Sequence, residues 1–86
     1  MARHNTKPKN TKMARFFSDL GKHVKVLRMK QGLSQATVAE AAEVDLRHYQ
    51  DLEAGHVVSL RLLWSVANAL GVSVAKITAD LGPNEK

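Results

Sequence analysis

Apolar residues recur along this chain at intervals of three and four, which is the spacing of residues on one face of an α-helix. Strand-like alternation of apolar and polar residues does not extend over any length of the sequence. The intervals run through five segments, whose inward-facing residues are Leu20, Val24 and Leu27; Val38, Ala39 and Ala42; Tyr49 and Leu52; Leu63, Val66, Ala67 and Leu70; and Val74, Ile77 and Leu81. The pattern therefore predicts an all-α domain of five helices.

Serine, aspartate and glycine mark the expected helix ends. Favourable N-cap residues precede all five apolar segments, namely Ser18, Ser34, Asp45, Ser59 and Ser73. Glycine follows four of the segments, where a helix commonly ends in a left-handed residue. The predicted helices therefore begin at these caps, with Asp19 in the first turn of the first helix.

The charge of the chain is concentrated at its amino-terminal end. The 86 residues carry a net charge of +5, yet residues 1–30 hold nine lysines and arginines against one acid. Residues 1–15, "MARHNTKPKNTKMAR", show no periodicity, and we expect them to form a flexible basic arm before a domain over 16–82 and a tail over 83–86. A cationic half attracts polyanions, foremost nucleic acid, although a solvated tail that aids solubility is the alternative.

Several kinds of chemistry are absent from the sequence. There is no cysteine, and the four histidines share no metal-ligand spacing, so we expect no metal, cofactor or catalytic site. Neither a signal peptide nor a membrane span is apparent, and we expect a cytoplasmic protein. Tyr49 and Trp64 are expected in the core, while Phe16 and Phe17 either anchor the first helix or lie exposed.

The third predicted helix has a polar face suited to reading DNA. If Tyr49 and Leu52 point inward, the opposite face carries Leu46, Arg47, Gln50 and Asp51. A helix fits the major groove of B-DNA, where arginine pairs with guanine and glutamine pairs with adenine. Two ordinary helices of a small bundle are the alternative for this stretch.

The stretch "GLSQATVAEAAEVDLRHYQDLEAG", residues 32–55, resembles the helix-turn-helix of the lambda-repressor-like family, also called the Cro/Xre type. The matching positions are Ser34-Gln35, Val38-Ala39 and Leu52-Glu53-Ala54-Gly55. The segment "LWSVANALGVSVAKI", residues 63–77, resembles the fourth helix of that family and the start of its fifth. The resemblance covers roughly residues 19–81, with the helix-turn-helix proper at about 34–54.

The resemblance implies a regulator of transcription, of bacterial or phage type, that binds double-stranded DNA. Members of the family are commonly homodimers. It places DNA contacts at Gln35, Asp45, Leu46, Arg47, Gln50 and Asp51, and a structural role at Glu53. Flexible basic arms of this family reach around the duplex, which implies backbone contacts by Arg3, Lys7, Lys9, Lys12 and Arg15, assisted by Lys22, Lys25 and Arg28. Dimers of the family commonly pair through the last helix, here through Val74, Ile77 and Leu81.

Three features depart from the family pattern. Glu43 occupies the position of the usual turn glycine, and the loop after Gly55 is short and lacks a common proline. Residues 34–53 also carry five acids against Arg47 alone. This acidic stretch favours a second hypothesis, a protein-interaction module on the same fold such as the antitoxin of a toxin–antitoxin pair. A membrane-surface protein is less favoured, because no amphipathic cationic helix accompanies the arm.

Overall fold

The structure is a computed structural model that describes residues 11–79 and Leu81. Within these residues it contains five helices and no strand, which confirms the predicted all-α fold. The helices are α1 (Thr11–Lys30), α2 (Gln35–Ala42), α3 (Leu46–Glu53), α4 (Leu60–Leu70) and α5 (Val74–Thr78).

Three of the predicted serine caps are confirmed. The hydroxyl of Ser34 accepts the Thr37 backbone N–H at 3.0 Å, and the Ser59 hydroxyl accepts that of Leu62 at 3.0 Å. Ser73 accepts the Lys76 N–H at 2.9 Å in the same way. Each bond satisfies one of the amide groups that the first turn of a helix leaves unpaired, so the starts of α2, α4 and α5 are encoded locally.

The predicted start of the first helix at Ser18 is wrong, because α1 begins at Thr11. Phe16 and Phe17 pack against the core, their rings meeting edge to face with centroids 5.3 Å apart, and this packing continues the buried stripe upstream of Ser18. The prediction of a flexible arm is therefore wrong for residues 11–15, which are helical. Residues 1–10 of the predicted arm and the predicted tail over 83–86 lie outside the described residues.

The core draws on all five helices. Its buried members are Leu20, Val24, Val38, Ala39, Tyr49, Leu52, Leu63, Val66, Ala67, Leu70 and Ile77. Helix α2 packs on α4 and α3, helix α3 also packs on α1, and α5 packs against α1 and α4. Tyr49 is fully buried as expected, but the expectation for Trp64 is wrong, since 60% of this residue is exposed on α4.

Gly21 permits the close approach of α1 to the end of α3. A Cβ atom at this position would lie 2.4 Å from the Leu52 carbonyl oxygen and 2.7 Å from that of Glu53, far inside van der Waals contact. The backbones of the two helices therefore meet with no side chain between them. This contact positions α3 from behind and leaves its other face at the surface.

Helix α5 is shorter than the apolar pattern suggests, since it ends at Thr78. Ile77 is fully buried in the core of the single chain, so its side chain has no exposed surface there. Val74 and Leu81 are half-buried against the same core. Among the described residues, no helix is long and apolar enough to cross a bilayer.

Candidate nucleic-acid interface

Helix α3 divides into a buried face and an exposed face. Tyr49 and Leu52 are buried, whereas Leu46, Arg47 and Gln50 are exposed, with Leu46 at 39%. This division is the one that the sequence predicted for these residues. It leaves one guanidinium, one amide and one aliphatic side chain on the same outward surface.

The two acidic residues predicted to contact DNA, Asp45 and Asp51, differ in exposure. Asp45 is the exposed N-cap residue, and its side chain makes no capping hydrogen bond. Asp51 is half-buried and its Oδ1 lies 3.5 Å from Nδ1 of His56, so it faces the loop after α3. The prediction that Asp51 shares the exposed face is therefore wrong, since its carboxylate packs against that loop.

The turn between α2 and α3 has the backbone of a glycine turn although its residue is glutamate. Glu43 has φ 60° and ψ 42°, the left-handed region, and its N–H donates to the Glu40 carbonyl at 3.0 Å. Val44 N–H then donates to the Ala39 carbonyl at 3.0 Å. Glu43 thus preserves the geometry of the turn at the steric cost that a Cβ atom brings there.

A buried carboxylate connects α1, α2 and α3. Glu53, at the end of α3, accepts hydrogen bonds from Arg28 Nε at 2.7 Å and Arg28 Nη2 at 3.2 Å. It also accepts Gln35 Nε2 at 2.9 Å and the Tyr49 hydroxyl. The side chain of Glu53 is 5% exposed and that of Arg28 is 12% exposed, so the ion pair is largely shielded from water. We call Arg28, Gln35, Tyr49 and Glu53 the carboxylate cluster.

The charges of the carboxylate cluster stabilise one another. Burial opposes ionisation of Glu53, but hydrogen bonds from Arg28, Tyr49 and Gln35 outweigh it and lower the pKa of this carboxyl group. Burial, followed by the hydrogen bond to Glu53, raises the pKa of the Tyr49 hydroxyl. The hydrogen bond to Glu53 raises the pKa of Arg28. The cluster therefore holds an ionised carboxylate, an ionised guanidinium and a neutral phenol.

Arg28 is not available to DNA, contrary to the prediction. Besides its bonds to Glu53, its Nη1 donates to the Leu33 carbonyl at 2.8 Å, which ties α1 to the loop before α2. Lys22 and Lys25, by contrast, are exposed on α1, as are Lys12 and Arg15. The described part of the predicted cationic surface is thus on α1.

The carboxylate cluster also orients the two glutamines of the site. Because Gln35 Nε2 donates to Glu53, its Oε1 points the other way and accepts from Gln50 Nε2 at 3.3 Å. One N–H and the carbonyl oxygen of Gln50 remain unused by this bond. The exposed amide is therefore braced by a chain of hydrogen bonds that begins at a buried charge.

Sequence reasoning found Glu53 as a structural residue but missed the partners that make it one. Tyr49 lies four residues earlier and thus on the same side of α3, which was a readable signal. Arg28 is 25 positions away and Gln35 is 18 positions away, and only the packing of the helices brings them together. Residues 11–79 and 81 contain no group of three His, Asp or Glu side chains that could hold a metal ion.

An exposed third helix, braced from behind and joined to α2 by a tight left-handed turn, defines a helix-turn-helix domain. The family model HTH_3, described as helix-turn-helix, matches residues 24–77. The chain belongs to this family. The comparison with curated proteins gave no match.

Solved structures of regulators resemble the chain closely. It is 35% identical to ClgR, the clp gene regulator of Corynebacterium glutamicum, over 74% of this chain and 84% of that one, with a TM-score of 0.68. It is 29% identical to the restriction-modification controller protein C.AhdI of Aeromonas hydrophila, over 71% of this chain and 94% of that one, with a TM-score of 0.68. An HTH_3 family regulator of Vibrio cholerae is 26% identical, with a TM-score of 0.72, over 79% of this chain and 39% of that one.

These matches define the class of activity. The family and its relatives are DNA-binding regulators of transcription and not enzymes, and the chain resembles them in both fold and sequence. It is therefore a DNA-binding transcriptional regulator. The resemblance inferred from residues 32–55 and 63–77 is confirmed.

Proposed function

We propose that α3 enters the major groove and that Arg47 and Gln50 read base edges there. The observation that carries this proposal is the braced amide of Gln50, whose free N–H and carbonyl oxygen match N7 and the N6 amino group of adenine. Arg47 suits guanine, whose O6 and N7 accept two parallel hydrogen bonds. Leu46 offers an apolar contact for a thymine methyl group, and Asp45 lies at the same end of α3.

In this proposal Gln35 contacts the DNA backbone and not a base. It begins α2 directly after the Ser34 cap, where free N–H groups and the helix dipole favour a phosphate. One N–H of its side-chain amide donates to Glu53, and this bond leaves the second N–H unused. We expect that hydrogen to bind a DNA phosphate, so that one residue sets both the register of the protein on the duplex and the orientation of Gln50.

Non-specific affinity comes from outside the helix-turn-helix. Residues 34–53 carry an excess of acids, and phosphate contacts supply most of the non-specific affinity of DNA-binding proteins. Lys12 and Arg15 are exposed at the start of α1, adjoining Arg3, Lys7 and Lys9 in the sequence. We propose that these basic residues bind the DNA backbone while α3 supplies sequence recognition.

We propose further that the chain is a cytoplasmic regulator of bacterial or phage type that works as a homodimer on a two-fold symmetric operator. Two copies would place their third helices about 34 Å apart, one turn of the duplex. Of the predicted interface residues, Val74 and Leu81 keep some surface whereas Ile77 has none.

Selection from a randomised duplex library at near-physiological salt tests the proposal. We expect a symmetric site with half-sites about one turn apart. Arg47→Ala should relax one base pair in each half-site and Gln50→Ala another, each by about 1–3 kcal/mol of discrimination. Lys76→Ala, an exposed substitution on α5, serves as a control that should leave the preferred sequence unchanged. Recovery of no preferred sequence would contradict base reading by α3.

A protein-interaction module remains the second candidate function, and the acid excess of residues 34–53 favours it. A module whose principal ligand is a basic protein would use the same exposed face without reading bases. The library selection separates the two functions, because an antitoxin-like module without base contacts would retain duplexes irrespective of sequence.

A further inference from the structure

The side-chain amide of Gln35 faces a group that only accepts hydrogen bonds. An ionised carboxylate has no hydrogen to donate, and the Glu53 side chain is only 5% exposed, so little water reaches it. The NH2 end of Gln35 therefore points towards Glu53, with Nε2 2.9 Å from Oε1. Turning the amide over would place its oxygen against a carboxylate oxygen, and two acceptors repel each other. Glu53 thus fixes Gln35 in one of its two orientations.

The orientation of Gln35 determines that of Gln50. With its NH2 end on Glu53, Gln35 presents Oε1 to α3, and an amide oxygen accepts hydrogen bonds but cannot donate them. Gln50 therefore turns its own NH2 end towards Gln35, with Nε2 3.3 Å from that oxygen. On the exposed face of α3, the donor end of the Gln50 amide is thus nearer to α2 than the acceptor end is.

The buried ion pair does not require Gln35. Arg28 donates to both carboxylate oxygens of Glu53, and the Tyr49 hydroxyl donates to one of them. The buried charge is therefore neutralised and hydrogen-bonded without a further donor. The bond from Gln35 is an additional one that connects this pair with the surface. Its consequence is the orientation of Gln50.

An A·T base pair is asymmetric in the major groove. Adenine presents an acceptor, N7, beside a donor, the N6 amino group, and reversal of the pair to T·A reverses their order across the groove. An amide whose donor and acceptor ends are fixed matches one order and opposes the other, whereas an amide that is free to turn over matches both. A side chain that fixes the amide therefore contributes to sequence recognition without touching a base.

We infer that Glu53 determines which orientation of an A·T base pair Gln50 accepts, and that it does so through Gln35. The inference rests on the proposed reading of bases by Gln50, and it adds a residue that contacts no base to the determinants of specificity. Glu53 is a positioning residue in this arrangement, in addition to its part in the ion pair with Arg28. Recognition then depends on a charge in the interior of the domain.

The ratio of A·T to T·A at the base pair that Gln50 reads, identified with Gln50→Ala, measures this effect in the library selection. We expect the wild type to enrich one orientation at least about 10-fold, which a bidentate pair provides. Glu53→Gln presents either end of an amide to Gln35, so the ratio should come within about threefold of one. Glu40→Gln makes the same replacement at an exposed position of α2 and should keep the ratio of the wild type.

A second variant, Gln35→Met, leaves the ion pair between Arg28 and Glu53 in place. It removes the amide that orients Gln50, so the ratio should fall as it does in Glu53→Gln. Circular dichroism shows whether each variant is folded, and Gln35→Met decides the test if Glu53→Gln is not. The base pair that Arg47 reads should keep its preference in both variants, because a merely structural role of Glu53 would weaken both base pairs together.

Hydrogen exchange of the side-chain amides, measured by NMR on the protein without DNA, tests the first step separately. One Nε2 hydrogen of Gln35 is bonded to a buried carboxylate, so it should exchange at least about 10-fold more slowly than the side-chain hydrogens of Asn68, which is exposed on α4. Equal exchange at the two residues would overturn the inference.

The outcomes of the selection separate this inference from the proposed function. A ratio that survives in a folded Glu53→Gln or Gln35→Met overturns the inference and leaves base reading by α3 intact. Parallel loss of preference at the base pairs of Arg47 and Gln50 also overturns it, since α3 would then be displaced as a whole. A wild type without any base preference contradicts the proposed function, and the inference fails with it.

Discussion

Glu43 holds a backbone conformation that side chains disfavour. Its φ of 60° lies in the left-handed region, where a Cβ atom crowds the following carbonyl. Among the described residues it is the one non-glycine with positive φ, and it lies in the turn that sets the angle between α2 and α3. The turn geometry therefore comes from the packing of the two helices and not from the preference of this residue.

Glu43→Gly should stabilise the fold by about 1 kcal/mol, because glycine removes the left-handed strain. Urea unfolding of the two proteins measures the difference. Glu43→Gln is the matched control: it removes the charge and keeps the Cβ atom. A gain of equal size in both variants would assign the effect to charge and contradict the assignment to backbone strain.

Glu53 couples the stability of the fold to pH. Its pKa is lowered by hydrogen bonds from Arg28, Tyr49 and Gln35 that outweigh burial, so the ionised form favours the folded state. This contribution is complete above the ordinary glutamate pKa of about 4.3 and is lost as the pH falls through the lower pKa of the folded protein. Acid should therefore break the ion pair with Arg28.

Glu53→Gln should destabilise the protein at neutral pH by about 3 kcal/mol, because it leaves the Arg28 guanidinium without its counter-charge. The variant should also lose part of the decline in stability that the wild type shows below about pH 4.5. Denaturant unfolding between pH 3 and 7 measures both effects. Glu40→Gln, an exposed substitution on α2, serves as the control. Parallel pH curves for the wild type and Glu53→Gln would contradict the role of the cluster.

At the scale of elements, the position of α3 depends on a contact between two backbones. Gly21 of α1 lies against the Leu52 and Glu53 carbonyls, and the same end of α3 carries the carboxylate cluster. Helix α3 is thus held at its carboxyl end by close packing and by a buried ion pair. Its amino end, with Leu46 and Arg47, stays at the surface.

Gly21→Ala should destabilise the fold by more than about 2 kcal/mol, although alanine favours an isolated helix. The reason is the 2.4 Å approach to a backbone oxygen, which forces α1 and α3 apart. Gly32→Ala provides the comparison, because nothing lies within 4 Å of its Cβ position and only the strain of φ 71° opposes it. Thermal unfolding should place Gly21→Ala well below Gly32→Ala. The reverse order would contradict the close approach of the two backbones.

At the scale of the whole molecule, positive and negative charges lie in different parts of the chain. Exposed cations lie on α1, whereas residues 34–53 carry an excess of acids. In the proposed function, the basic residues attract phosphates and α3 recognises bases. If this division holds, we expect DNA affinity to fall steeply with salt while the preferred sequence stays the same. Lys12 and Arg15 lie in the first turns of α1.

Replacement of Arg3, Lys7 and Lys9 by glutamine should weaken DNA binding and reduce the salt slope by about 0.9 for each phosphate that is no longer neutralised. Titrations at several salt concentrations measure the slope, and library selection on the same variant should return an unchanged sequence. Lys76→Gln is the control, because it makes the same replacement of a basic residue by glutamine at a single position on α5. An unchanged slope in the triple variant would show that residues 1–10 do not bind the backbone.

The sequence by itself determined the helical class, the caps of α2, α4 and α5 and the two faces of α3 around Tyr49, because each depends on neighbours within one turn. The same local rules misplaced the start of α1 at Ser18, where the packing of Phe16 and Phe17 prevails over a good cap.

Only the tertiary structure decided the rest. It joined Arg28 to Glu53 across 25 residues, buried Ile77, and left Trp64 and Leu60 at the surface. A helical pattern reports which residues share a face, but the number of helices packed against that face determines whether each side chain is buried. That number depends on contacts between segments far apart in the chain.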